Sequence, residues 1–158
     1  RFDILNDEFS VTGDDVFAYL DFTFGFHVSV QDPGLRITDN SLRLTGGAVT
    51  NSGDNGMYIQ EVVYDAADNR LGDKQVEFSW LDRTELTSVL SDRAAFAPQS
   101  EVWVTKNILV WATAEDETAA LISFEQRFSQ SAVPEPASFA LLGLGLAGLA
   151  ATRRRQPV

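Results

Sequence analysis

No cysteine occurs in the 158 residues, so the chain can form neither a disulfide nor a thiolate metal site. The single histidine, His27, excludes a zinc site built from several imidazoles of one chain. Lysine is almost as scarce, occurring only at Lys74 and Lys106. No G-x-x-x-x-G-K follows a strand-like run, so Gly46-Gly47 and Gly53 do not make a phosphate loop. Positive charge is thin throughout. Of 12 Lys+Arg and 23 Asp+Glu, residues 133–158 hold three arginines and one glutamate, which leaves the body a net charge of −13. A surface of that sign repels nucleic-acid phosphate and anionic headgroups, which argues against nucleic acid as a partner.

What the body does contain is alternation. In DVFAYLDFTFGFHVSV, Val16, Ala18, Leu20, Phe22, Phe24, Phe26, Val28 and Val30 are all apolar. Thr23, Gly25, His27 and Ser29 fall between them. That is the period of a strand with one buried face, and its length predicts a bend or bulge near Gly25. MYIQEVVYD and KQVEFSWLD flank AADNRLG, a segment suited to a hairpin loop, and EVWVTKNILVWAT and AALISFEQRFS flank AEDE in the same way. Lys106-Asn107 interrupts the third run and predicts a bulge or a switch of buried face. DRTELTSVLSDRAAF, residues 82–96, has helical spacing at Leu86, Val89 and Leu90 and predicts a short helix or ordered loop.

The expectation is an all-β protein, an antiparallel β-sandwich of about seven to nine strands, followed by a single C-terminal hydrophobic helix. The boundaries read as a β-sandwich domain over residues 1–128, a linker over 129–136, a membrane segment over 137–152 and a basic tail over 153–158. Arg1-Phe2-Asp3, without a leader in front, reads as the start of a mature product.

Candidate chemistry in the body is sparse. Asp14-Asp15, Asp39-Asn40, Asp54-Asn55 and Glu115-Asp116-Glu117 read as solvated turns. Asp65, Asp68, Asn69 and Asp73 offer hard oxygen ligands for calcium, although DAADNRLGD lacks the D-x-D-x-D spacing of an EF-hand. No cofactor is otherwise expected. His27 has no nucleophile in a G-x-S-x-G context, so no catalytic residue is assigned and an enzyme is not expected. Trp80, Trp103 and Trp111 are candidates for stacking on a sugar ring, with core packing as the alternative.

The C-terminal stretch VPEPASFALLGLGLAGLAATRRRQPV is the most distinctive. Ala137–Ala151 is an uncharged run of 15 residues, short against the ~17–25 that span a bilayer. Its leucines cover every side, which removes a core helix. Arg153, Arg154 and Arg155 would stay cytoplasmic, placing the acidic body across the membrane. Val133-Pro134-Glu135-Pro136, the apolar run and the terminal arginines together resemble the PEP-CTERM sorting signal of exported bacterial proteins. That resemblance covers residues 133–158 and implies an exosortase, a membrane transpeptidase-like enzyme, as partner. It also implies an inner-membrane-anchored precursor, delivery to the cell surface or extracellular matrix, and a Gram-negative host that makes exopolysaccharide or biofilm. The body is then a non-enzymatic surface protein or, alternatively, a module that binds exopolysaccharide through its tryptophans or a calcium loop.

Overall fold

The computed structural model describes residues 2–4, 8–50, 53–82 and 84–133. The helix expected over 137–152, together with Pro134, Glu135, Pro136, Arg153, Arg154 and Arg155, lies outside the described residues. Among the described residues no helix is long and apolar enough to cross a membrane.

Ten strands follow in order: β1 (Phe2–Asp3), β2 (Ser10–Thr12), β3 (Ala18–Ser29), β4 (Leu35–Val49), β5 (Asn55–Tyr64), β6 (Arg70–Leu81), β7 (Glu85–Val89), β8 (Ser91–Gln99), β9 (Glu101–Ala112) and β10 (Thr118–Ala132). They form two antiparallel five-stranded sheets. In the first, β10 is flanked by β4 and then β8 on one side, and by β1 and β2 on the other. The second runs β3-β9-β5-β6-β7.

Strand period decides what faces inward. In β9 the positions of Val102, Val104, Lys106, Ile108, Val110 and Ala112 are buried, while Trp103 and Thr105 point out. The two inner faces meet in two hydrophobic clusters. One gathers Leu42, Met57, Ile59, Val76, Ile108 and Phe124, and the other gathers Ile37, Val63, Val102 and Val104 with Phe26 and Phe128. Each such side chain contributes about 1.5–3 kcal/mol on full burial. Phe2 stacks on Phe124 at 4.7 Å, and Phe9 meets Phe22 edge-on at 5.7 Å, so β1 and the segment before β2 cover the aromatic overhang of edge strand β3.

Several expectations are corrected. The short helix or ordered loop expected over 82–96 is replaced by β7 and β8 over most of that span, the helical spacing being outweighed by pairing with β6 and β4. β3 pairs with β9 from Ala18 to Ser29 without a register shift, so Gly25 marks no bulge. Lys106 breaks neither register nor face; it simply points into the core. The loop AADNRLG does join a hairpin, β5 to β6. The similar AEDE loop carries the chain from β9 in one sheet to β10 in the other, so those strands do not pair.

Three turn readings also change. Asp39-Asn40 lies inside β4, Asn55 opens β5, and Glu117 is buried. Burial works against the Glu117 carboxylate, but the Thr113 hydroxyl and the Ala114 and Thr113 amides outweigh it and hold its pKa below the usual range. Asp39 behaves alike: burial opposes its charge, and Arg93 at 2.6 Å with Ser129 lowers its pKa. β10 pairs with β4 through Ala132, past residue 128.

Candidate functional site

The outer face of the second sheet brings aromatic and amide side chains onto one surface. β3, β9, β5 and β6 run in continuous antiparallel register across it, with one shift, at Tyr64. At one end Trp103 sits between His27 on β3 and Tyr64 on β5. The Trp103 and His27 rings stack at 4.4 Å and 27°, and Trp103 remains 38% exposed. The imidazole Nε2 lies 3.0 Å from Oε2 of Glu101, which fixes the ring against the indole.

At the other end Trp111 pairs across strands with Tyr19 and Gly56. A Cβ on Gly56 would come within 2.8 Å of the Trp111 ring and 2.4 Å of the Ser79 Cβ. The missing side chain is therefore what lets the indole lie over β5. Tyr58 stands 6.3 Å from Trp111 at a 58° tilt, and Tyr19 is well exposed. Between the two aromatic ends runs the row Thr23–Asn107–Gln60–Gln75. Asn107 Nδ2 donates to Thr23 Oγ1 at 2.9 Å and to the Asp21 carboxylate. Trp103 and Trp111 are eight residues apart on one strand, about 26 Å at the usual rise. A sheet face with aromatic rings at both ends and amides between them suits an extended chain of hydroxylated rings.

Two of the three candidate tryptophans thus share a face. Trp80 does not: it has the parity of Lys74, Val76 and Phe78 and pairs with Asn55, on the opposite side of the sheet. The sequence reading missed Tyr19, Tyr58, Tyr64, Gln60 and Asn107, although each has the parity of a tryptophan in its own or the paired strand.

The calcium candidates occupy the β5–β6 loop. Asp65 Oδ1 accepts from the Ala67 and Asn69 amides at 2.9 Å, and the Asn69 side chain reaches both carboxylate oxygens. These Asn69 contacts hold the Asp65 pKa low. Asp68 adopts φ 64°, and Asp73 pairs with Arg70 at 2.7 Å. Asp65 is thus engaged in shaping the turn and Asp73 in the ion pair with Arg70. Among the described residues, no group of three or more His, Asp or Glu side chains gathers as metal ligands.

The chain leaves the sandwich at the end of β10. Ala132 is the last residue paired with β4, and the Val133 amide donates to the Gly34 carbonyl at 2.8 Å. Residues 132–155 match the PEP-CTERM protein-sorting motif. The PEP-CTERM motif begins where the last strand ends, with no spacer between fold and signal. It marks an exported protein whose membrane-anchored precursor is sorted by exosortase-type machinery.

No curated protein sequence matches the chain. Among solved structures, the enzymatically active domain of bacteriophage CBA120 tailspike protein 4 is 10% identical over 78% of this chain and 20% of that one, with a TM-score of 0.31. A structure of infectious bursal disease virus, Gx strain, is 13% identical over 80% of this chain and 36% of that one, with a TM-score of 0.25. The chain spans well under half the length of either. Likeness so distant leaves the role of the body to its own residues.

Proposed function

We propose that this is a non-enzymatic, exported surface or matrix protein whose β-sandwich contacts exopolysaccharide through the outer face of the second sheet. The observation that carries this reading is the single sheet face joining Trp103, His27 and Tyr64 to Trp111, Tyr58 and Tyr19 across a row of amides. Aromatic faces stack on the C–H faces of sugar rings, and amides exchange hydrogen bonds with ring hydroxyls. The net charge of −13 favours a neutral polysaccharide over an anionic one. In the precursor, residues 137–152 hold the chain in the inner membrane with Arg153, Arg154 and Arg155 in the cytoplasm, and exosortase acts near Val133–Pro136. The calcium form of the reading has less support, since Asp65 already serves the turn and Asp73 the ion pair with Arg70.

Affinity electrophoresis through gels containing a panel of neutral bacterial polysaccharides tests it. Retardation is expected for the wild-type protein and is expected to be lost in Trp103→Ala and Trp111→Ala, with no change on adding chelator. Unretarded migration across the panel overturns the saccharide reading.

A further inference from the structure

The polar layer inside the sandwich is unexplained by sorting or by surface binding. Both lysines of the chain are in it, essentially without exposure, and both reach the same buried carboxylate. Lys74 Nζ lies 2.8 Å from Glu61 Oε1, while Lys106 donates to Glu61 Oε2. The Lys74 contact is an ion pair by distance, yet its angles leave both atoms without a formed hydrogen bond. Lys106 also lies 5.1 Å above the Phe124 ring. The three residues stand directly opposite one another on β9, β5 and β6.

The facing sheet turns two carboxamides into the interior. Asn40 lies in β4 between Leu42 of one hydrophobic cluster and Ile37 of the other, and Gln126 lies in β10 between Phe124 and Phe128. Asn40 has no exposure, and both of its amide atoms, like those of Gln126, lack a hydrogen-bond partner. Leaving such groups unpaired in a protein interior is unfavourable.

Close approaches between β6 and β8 align the Lys74 stretch with the Asn40 and Leu42 rows. A Cβ on Gly72 would sit 2.7 Å from the Ala94 Cβ, and Ala94 is the register partner of Asn40. The Gln75 amide donates to Asp92 at 3.0 Å, and Asp92 is the register partner of Leu42. Lys74, between Gly72 and Gln75, therefore enters the interior between the Asn40 and Leu42 rows.

The amine, the carboxylate and the carboxamide are all shielded from solvent. Two ammonium groups and one carboxylate leave one uncompensated positive charge, which favours release of one proton from the trio. Desolvation holds the Lys106 pKa below the ordinary lysine value in spite of Glu61. Glu61 touches both amines and can pass a proton between them. An amine desolvated beside a second cation is a nucleophile, and held near its target it reacts without the entropy cost of encounter.

We propose that Lys74 and Asn40 join in a side-chain amide bond, formed within the folded sandwich with Glu61 as proton carrier. Neutral Nζ of Lys74 attacks Cγ of Asn40. Glu61 takes a proton from Nζ and delivers it to Nδ2, the Cγ–Nδ2 bond breaks, and ammonia leaves. One amine and one carboxamide become one secondary amide and one ammonia, with no oxidant or cofactor. The layer then keeps a single, balanced Lys106–Glu61 pair, and the two sheets are covalently tied in a chain that has no cysteine.

Intact-mass spectrometry of the full 158-residue chain under denaturing conditions reads the bond directly. The expected mass is one ammonia below that of the sequence. A tryptic digest should contain a branched peptide joining residues 37–43 to 71–83, uncut after Lys74. Glu61→Gln and Asn40→Ala should show full sequence mass. Asn40→Asp should be lighter by one water, because the same amide then forms with water as leaving group. An unshifted wild-type mass overturns the proposal. So does an ammonia loss without the branched peptide, as from a succinimide at Asn40, or a branch joining β9 to β10 instead.

Discussion

Glu61 holds Lys74 at 2.8 Å in the middle of the core, with neither side chain exposed to water. Burial of that kind stabilises only while the charges are matched, so removing the acid should cost far more than removing a base. Glu61→Ala is expected to lower unfolding stability by about 3–5 kcal/mol in urea titration. In the Asn40→Ala background, where Lys74 stays an amine, Lys106→Met removes the surplus charge and keeps apolar length, so its stability should equal or exceed that of Asn40→Ala alone. Because burial depresses the folded pKa of Lys106 below its unfolded value of 10.5, the unfolded chain binds the extra proton between the two. Wild-type stability should therefore rise with pH through the alkaline window below 10.5, and Lys106→Met should lack that slope. Equal damage from Glu61→Ala and Lys106→Met in the Asn40→Ala background would contradict this account.

Glu117 gives the opposite sign. Its folded pKa is depressed below the ordinary 4.5 by the Thr113 and Ala114 donors, which more than offset burial. The stability it supplies is present above pH 4.5 and lost as pH falls through the folded pKa. Glu117→Gln should flatten acid unfolding curves over that range while the neutral-pH fold persists by circular dichroism. Superimposable acid curves for wild type and variant would rule the assignment out.

Gly56 is the seat of Trp111. A valine there would meet Ser79 and the indole ring well inside contact distance, so Gly56→Val should cost about 1–3 kcal/mol. It should also shift the tryptophan fluorescence and weaken retention by polysaccharide. The stack of Trp103 on His27 lies at the other end of the strand and should be unaffected. A variant as stable as wild type, with unchanged fluorescence, would show that the indole does not need the glycine.

For sorting, the paired change Pro134→Ala with Glu135→Ala is expected to leave full-length protein in the inner membrane fraction of a host that has its exosortase. Immunoblots of membrane and released fractions decide the matter. Normal processing of the double variant would separate the PEP-CTERM motif from its expected use.

Much of the body is legible in the chain because a strand's period is short and local. The runs around Phe22–Val28, Met57–Tyr64 and Val102–Trp111 each announce their buried side. The same parity places Glu61 with Ile59 and Val63, and Lys106 with Val104 and Ile108, so their burial could have been inferred. They are easily misread because a charged residue ordinarily marks solvent, and only a partner across the strand makes burial tolerable. Asn40 misleads in the same way: Asp-Asn is common in turns, and here it lies inside β4 at a register shift.

By itself the sequence determined the all-β class, the exclusion of disulfide and thiolate chemistry, and the sorting signal, whose residues are contiguous and need no fold to be recognised. The tertiary structure alone decided which strands pair. AADNRLG closes a hairpin and AEDE crosses between sheets, because the choice depends on which faces bury one another over long range. It also decided that Trp103 and Trp111 share a surface without Trp80, and that two lysines and one glutamate meet in the core. Those groupings join residues from separate strands, and register across a sheet is set by the packing of the whole.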